Sequence, residues 1–192
     1  MKTDPIQEFC LKSESNLRIA SAVGDAWPEA RGKLVTGFLD RLNGGLMKKL
    51  KGWQSTHDEG VAFFNKPYPG YWLWKPAWKD QYSIRLECFD YGNKMVFGVG
   101  RDARQIGKRP ACPDLFDAFQ QAHASATAHK WWEARTIMRS PAPDWRKPEV
   151  LWRMHKDDAF LQEVVAQLLD VASVSERFVD KLAKNSNRST TT

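Results

Sequence analysis

Three cysteines, four histidines and 23 acidic residues are what this 192-residue chain has for building a catalytic or metal centre, and their spacing builds neither. His57, His123, His129 and His155 are far apart. His123 and His129 are six residues apart, on opposite sides of a helix rather than on the face that i, i+4 residues share. His57-Asp58-Glu59 reads as a solvated acidic loop, and His155 with Asp157 and Asp158 as the start of a helix. Cys10, Cys88 and Cys112 form no C-x-x-C pair and read as free thiols of a reducing compartment. Cys112, beside Asp114 at a helix N-terminus, is the one thiol that its setting would acidify. No local base or orienting group marks it as a nucleophile. Gly98-Val99-Gly100 follows a strand-like run, but no third glycine or immediate helix completes a dinucleotide fingerprint. Gly107-Lys108 is followed by Arg109, where a Walker loop needs Ser or Thr. The sequence therefore assigns no catalytic residue, no metal ligand and no cofactor.

Two other sets of residues could bind without reacting. Trp72, Trp74 and Trp78, with Tyr71 and Lys75, lie on or beside one strand-like run. Arg101, Arg104, Lys108 and Arg109 lie in the basic segment RDARQIGKRP. Bases stack on aromatic faces and phosphates pair with Arg and Lys, so adjacent sets would make a nucleic-acid groove. A net charge of +6 favours a polyanionic partner, and nine tryptophans supply the aromatic area. A plainer expectation stands beside it. Trp72 and Trp74 are two apart, share one face, and are expected to cover the sheet's contact with a helix. For the tryptophans this is the favoured reading; for the arginine segment the two readings balance.

The elements that must position these residues centre on residues 61–102, four short β-like runs punctuated by Pro and Gly. Tyr82, Ile84, Leu86 and Cys88 alternate with Ser83, Arg85, Glu87 and Phe89, the period of two that gives a strand one core face. Lys66-Pro67, Pro69-Gly70, Lys75-Pro76 and Tyr91-Gly92-Asn93 supply turns for an antiparallel meander. Before it, Asp4-Pro5 opens a helix to about Val23, with a break near Ser13. A second helix starts at Trp27-Pro28 and carries Leu34, Val35, Phe38, Leu39, Leu42 and Leu46 as an apolar stripe. After it, Pro113-Asp114 opens a helix to about His129, and residues 130–139 return as a fifth strand. SPAPDWRKPEV is an aperiodic connection, and Asp157 caps a long final helix. The expected fold is α+β, an antiparallel β-meander of four to five strands packed against N-terminal and C-terminal helices. Residues 1–184 form one domain and 185–192 a disordered polar tail. No run reaches the roughly 18 apolar residues of a membrane span, and the N-terminus lacks a signal peptide's apolar core, so a cytoplasmic protein is expected.

One spacing pattern is familiar. A helix of form W-x-x-A-R-x-x-L-x-x-x-F-L-x-x-L (Trp27, Ala30, Arg31, Leu34, Phe38, Leu39, Leu42) precedes W-x-x-x-Y-x-I-x-L-E-x-F (Trp78, Tyr82, Ile84, Leu86, Glu87, Phe89) and then Phe97-Gly98-Val99. Over residues 27–165 this resembles the C-terminal half of PD-(D/E)XK nuclease-family proteins of bacterial and phage defence. That superfamily holds its metal with a D…(D/E)-x-K signature, which this chain lacks. Glu87-Cys88-Phe89 and Asp90-Tyr91-Gly92 put no lysine two residues after the carboxylate, and Lys94 is too far from Asp90. Without converging carboxylates nothing activates water against a phosphodiester. The resemblance implies an accessory portion without the nuclease. Three functions follow in order of expectation. The first is a non-catalytic binding protein in DNA or RNA transactions, in phage defence or counter-defence. The second is a protein-interaction module or inhibitor with aromatic anchors. The third is a small hydrolase around Glu87, Asp90 and Arg101.

Overall fold

The computed structural model describes residues 4–89, 94–102 and 112–188. The chain breaks near Ser13 as expected. Helix α1 (Pro5–Leu11) is capped by Asp4, whose carboxylate accepts from the amide of Ile6 at 2.9 Å. Ser13 then caps α2 (Glu14–Lys49), accepting from the amide of Asn16 at 3.1 Å. The expected new start at Trp27-Pro28 is replaced by one continuous helix of 36 residues. Pro28 costs α2 one backbone bond, whose acceptor would be the carbonyl of Gly24. That half of the helix faces solvent, where water can satisfy the carbonyl, so the interruption is tolerated. Burial begins only at Gly32 and continues through Val35, Phe38, Leu39, Leu42 and Leu46.

Six strands make one antiparallel sheet in the order β1-β2-β3-β4-β6-β5, one strand more than the meander and its return predict. They are β1 (Gln54–His57), β2 (Gly70–Trp74), β3 (Tyr82–Phe89), β4 (Lys94–Arg101), β5 (Thr127–His129) and β6 (Trp132–Ile137). The run at Val61–Asn65 is not a strand but a single helical turn, α3 (Ala62–Asn65). Phe63 and Phe64 are both buried, which consecutive strand positions, facing opposite ways, would not allow against one core. The first strand is instead the short polar β1, paired with β2 from Gln54↔Trp74 to His57↔Tyr71. Helix α4 (Pro113–Ala122) ends before the expected His129, because Thr127–His129 pairs with β6. The expected aperiodic connection already starts α5 (Pro148–Lys156). Asp157 caps α6 (Asp158–Arg188), accepting from the amides of Ala159 and Phe160 at 2.9 and 3.2 Å. That helix continues to Arg188, past the expected domain limit at residue 184. The class is α+β with an antiparallel sheet, and no described helix is long and apolar enough to cross a membrane.

Every helix that meets the sheet meets the same side of it. From α2, Asn43 Oδ1 accepts from Ser55 Oγ at 2.6 Å and from Tyr71 Oη at 3.0 Å. At the C-terminal end of α4 (Pro113–Ala122), the capping His123 stands edge-on to Phe97, with ring centroids 5.3 Å apart. The long apolar face of α6 (Phe160, Val164, Leu168, Val171) shares one core with Leu73, Ile84, Leu86, Val99 and Ala134. Strand alternation then assigns the remaining residues to the far face: Trp72, Ser83, Arg85, Glu87, Gly98, Gly100 and Trp132. Among the described residues no helix covers that face.

Candidate nucleic-acid interface

The far face is organised around Arg85. Its neighbours across β4 are Gly98, directly opposite, and Gly100; a Cβ on Gly100 would fall on the Arg85 side chain. Two side-chain-free positions thus let a guanidinium lie flat on the sheet. Arg85 Nε donates to Ser83 Oγ at 2.9 Å, and Nη2 donates to the Arg101 carbonyl at 2.7 Å and Asp102 Oδ1 at 2.8 Å. Nη1 reaches Glu87 Oε1 at 3.4 Å, and Trp72 Nε1 donates to the same oxygen at 3.0 Å. The guanidinium carbon is 5.8 Å from the ring centroid of Trp132, which lies on the far face of β6. Burial pushes the carboxyls of both Glu87 and Asp102 above their ordinary values, with Arg85 pulling in the opposite direction at each. Arg85 spends its donors on this network, so it orders the surface; a ligand's phosphates would meet other cations.

Clefts open on either side of the network. One, of about 430 Å³, is lined by Thr56, Trp72, Trp74, Lys79, Asp80, Ser83 and Asp102. The other, of about 600 Å³, is lined by Tyr68, Phe89, Trp131 and Trp132, by the charged Arg85, Glu87, Lys130 and Arg135, and by His129. Tyr68 is 60 % exposed and Trp131 42 %, so both offer aromatic surface to solvent. Lys130 Nζ lies 5.7 Å from the Trp131 ring centroid, and the Arg135 guanidinium 5.2 Å from that of Phe89. Aromatic planes with cations beside them, on a sheet face that no described helix covers, suit unpaired bases and their phosphates.

The residues singled out by sequence divide. Trp72 lines the first cleft, on the far face, so the expectation that it covers a helix contact is corrected, whereas Trp74 lines the same cleft and also packs against the core. Tyr71 and Leu73 take that role. Y-W-L-W is large and apolar at every position, so alternation alone cannot say which pair faces inward. The register answers it: Trp72 opposes Arg85, and Leu73 opposes Ile84. Trp78 and Lys75 do not join them. Trp78 is buried on the helix side and its Nε1 donates to Asp180 at 2.7 Å. Lys75 Nζ pairs with Asp180 and Glu176 at 2.8 and 2.5 Å. Arg101 opposes Tyr82 and so faces the helix side, where its Nε lies 3.1 Å from the fully buried Glu133. Glu133 Oε2 also accepts from the amide of Cys112 at 2.9 Å. Arg104, Lys108 and Arg109 lie outside the described residues. Asp90 of the expected hydrolase site does too, and Glu87 and Arg101 face opposite sides of the sheet. Among the described residues no cluster of three His, Cys, Asp or Glu could hold a metal ion.

No family model, no curated protein and no solved structure matches the chain. The reading of the far face rests on its own geometry. Sequence reasoning passed over Tyr68, Trp131, Trp132 and Arg135, because three come from segments far from the meander's centre and only strand pairing gathers them. Ser83, Arg85 and Glu87 did leave a signal, three polar residues at a spacing of two opposite a wholly apolar set.

Proposed function

We propose that the protein is a non-catalytic binder of single-stranded nucleic acid, and that it binds on the far face of its sheet. One observation supports the reading above the rest. The face left without a helix carries Trp72, Trp74, Tyr68 and Trp131 beside Lys79, Lys130 and Arg135, around an arginine network that fixes their floor. Stacking contributes about 1–3 kcal/mol per base and is indifferent to sequence, so affinity comes from these rings and from phosphate contacts. The net charge of +6 and the spacing likeness to the accessory half of defence nucleases point the same way. Reversing two cations of the clefts, the exposed Lys79 and the half-buried Arg135, in Lys79→Glu with Arg135→Glu, is expected to weaken binding of a ten-nucleotide single strand by tenfold or more. It should also flatten the dependence of log affinity on log salt by roughly 1.4, or about 0.7 for each phosphate that is no longer neutralised. Fluorescence anisotropy over a salt series measures both; an unchanged affinity and slope would remove this face from consideration.

A second reading, protein docking, has its own observation. Ile19, Val23 and Trp27 recur every four residues on the solvent-facing half of α2, 52 %, 62 % and 38 % exposed. Such a strip is unusual on an isolated surface helix and suits a partner's apolar groove. Ile19→Ser with Val23→Ser should leave stability within about 0.5 kcal/mol, since neither side chain is buried. If the strip docks, the same change abolishes self-association seen by sedimentation velocity; a wild-type protein that stays monomeric at every concentration contradicts docking to a second copy.

A further inference from the structure

The cleft of about 600 Å³ has an acceptor on its floor that the described residues leave unused. Glu87 is 6 % exposed, and its hydrogen bonds from Trp72 and Arg85 both end on Oε1. No described residue donates to Oε2. An acceptor oxygen that opens to a cleft is completed by whatever donor the cleft admits. The surroundings narrow what that is. Tyr68, Phe89, Trp131 and Trp132 give flat apolar walls, which suits a planar ring. Arg85, Arg135 and Lys130 outnumber the single carboxylate of the lining, which disfavours a cation and favours a ligand that carries negative charge elsewhere.

We propose that this cleft reads one unpaired base, preferring those with an exocyclic amino group (cytosine, adenine or guanine) over thymine or uracil. The base stacks on the exposed rings of Trp131 and Tyr68 and donates an amino hydrogen to Glu87 Oε2. Its phosphates meet Arg135 and Lys130. Thymine and uracil carry carbonyl oxygens at the corresponding position of the ring edge, and an acceptor facing a carboxylate is repelled. The inference rests on the far face binding single strands, and it adds base selectivity to a surface whose stacking alone would be indifferent.

The test compares ten-nucleotide strands of deoxycytidine, deoxyadenosine and thymidine, with a strand of the unsubstituted purine, which is adenine without its amino group. The first two are expected to bind about tenfold more tightly than the other two. Glu87→Gln, nearly the same in shape, should bring all four together, weakening the first two and relieving the repulsion that thymidine meets at the carboxylate. The purine strand probes the same hydrogen bond in the unaltered protein, so the result stands even if the variant folds poorly. Equal binding of all four by the wild type, or a preference that survives Glu87→Gln, overturns the pocket and leaves the interface standing. Binding of none overturns both.

Discussion

Arg85→Met is expected to lower the free energy of unfolding by about 3–5 kcal/mol, the range for removing one partner from a buried ion pair. Methionine fills much of the same volume on the sheet but offers no donors. The buried Glu87 and the partly buried Asp102 would lose the cation they share, and the Arg101 carbonyl and Ser83 hydroxyl would lose a donor each. Adding Glu87→Gln and Asp102→Asn to the variant should recover most of the loss, because the cost lies in the stranded charges. The pH dependence has a defined sign. Burial raises both carboxyls in the folded state above their unfolded values, so the folded form carries a penalty at neutral pH. That penalty is relieved as pH falls through the folded pKa values, and is gone below the unfolded ones. Without Arg85 both values rise further, so the variant's deficit should shrink on acidification. Urea unfolding at pH 7.5 and 5 measures it; a loss under about 1 kcal/mol, or one that grows in acid, would show that the network is not what orders the face.

Gly98→Ala is the other large effect, and its cause is steric. Gly98 has φ +156° and opposes Arg135 of β6. A Cβ there would be driven into the Ala134 carbonyl oxygen and lie 2.7 Å from the Arg135 Cα, both backbone atoms of a central pairing. No rotamer relieves such a clash; β4 and β6 must separate. We expect a loss of about 3 kcal/mol, the upper end for overpacking. Gly37→Ala is the control. Nothing lies within 4 Å of a Cβ at that helical position, so the change should gain up to about 1 kcal/mol. Chemical denaturation of the two variants side by side gives the comparison, and equal stabilities would contradict the close approach.

What the sequence made legible follows from what each signal depends on. β3 was readable because Tyr82, Ile84, Leu86 and Cys88 are uniformly apolar while Ser83, Arg85 and Glu87 are not, so its phase is unambiguous. β2 was readable as a strand but not in phase, because Trp72 and Trp74 are as apolar as Leu73, and only pairing with β3 orients them. α2 showed its buried stripe from Leu34 onward. Its continuity through Pro28 stayed hidden, because local rules penalise the proline and cannot see that the lost bond faces water. β1 gave no signal at all, since Gln54, Ser55, Thr56 and His57 are polar residues held at an edge by their neighbours. The candidate site shares this limit. Its polar centre lies on one strand and could be read there, whereas Tyr68 before β2 and Trp131 before β6 meet only through the sheet.

Binding of unpaired bases by the helix-free face is tested most directly by intrinsic tryptophan fluorescence. The wild-type protein is titrated with a ten-nucleotide single strand and with the matching duplex, at about 50 and 200 mM salt. Quenching by the single strand is expected, weakening steeply with salt and largely abolished in Trp131→Ala, with little response to the duplex, whose bases are already stacked on each other. Quenching by duplex and single strand alike, or none by either, would contradict it.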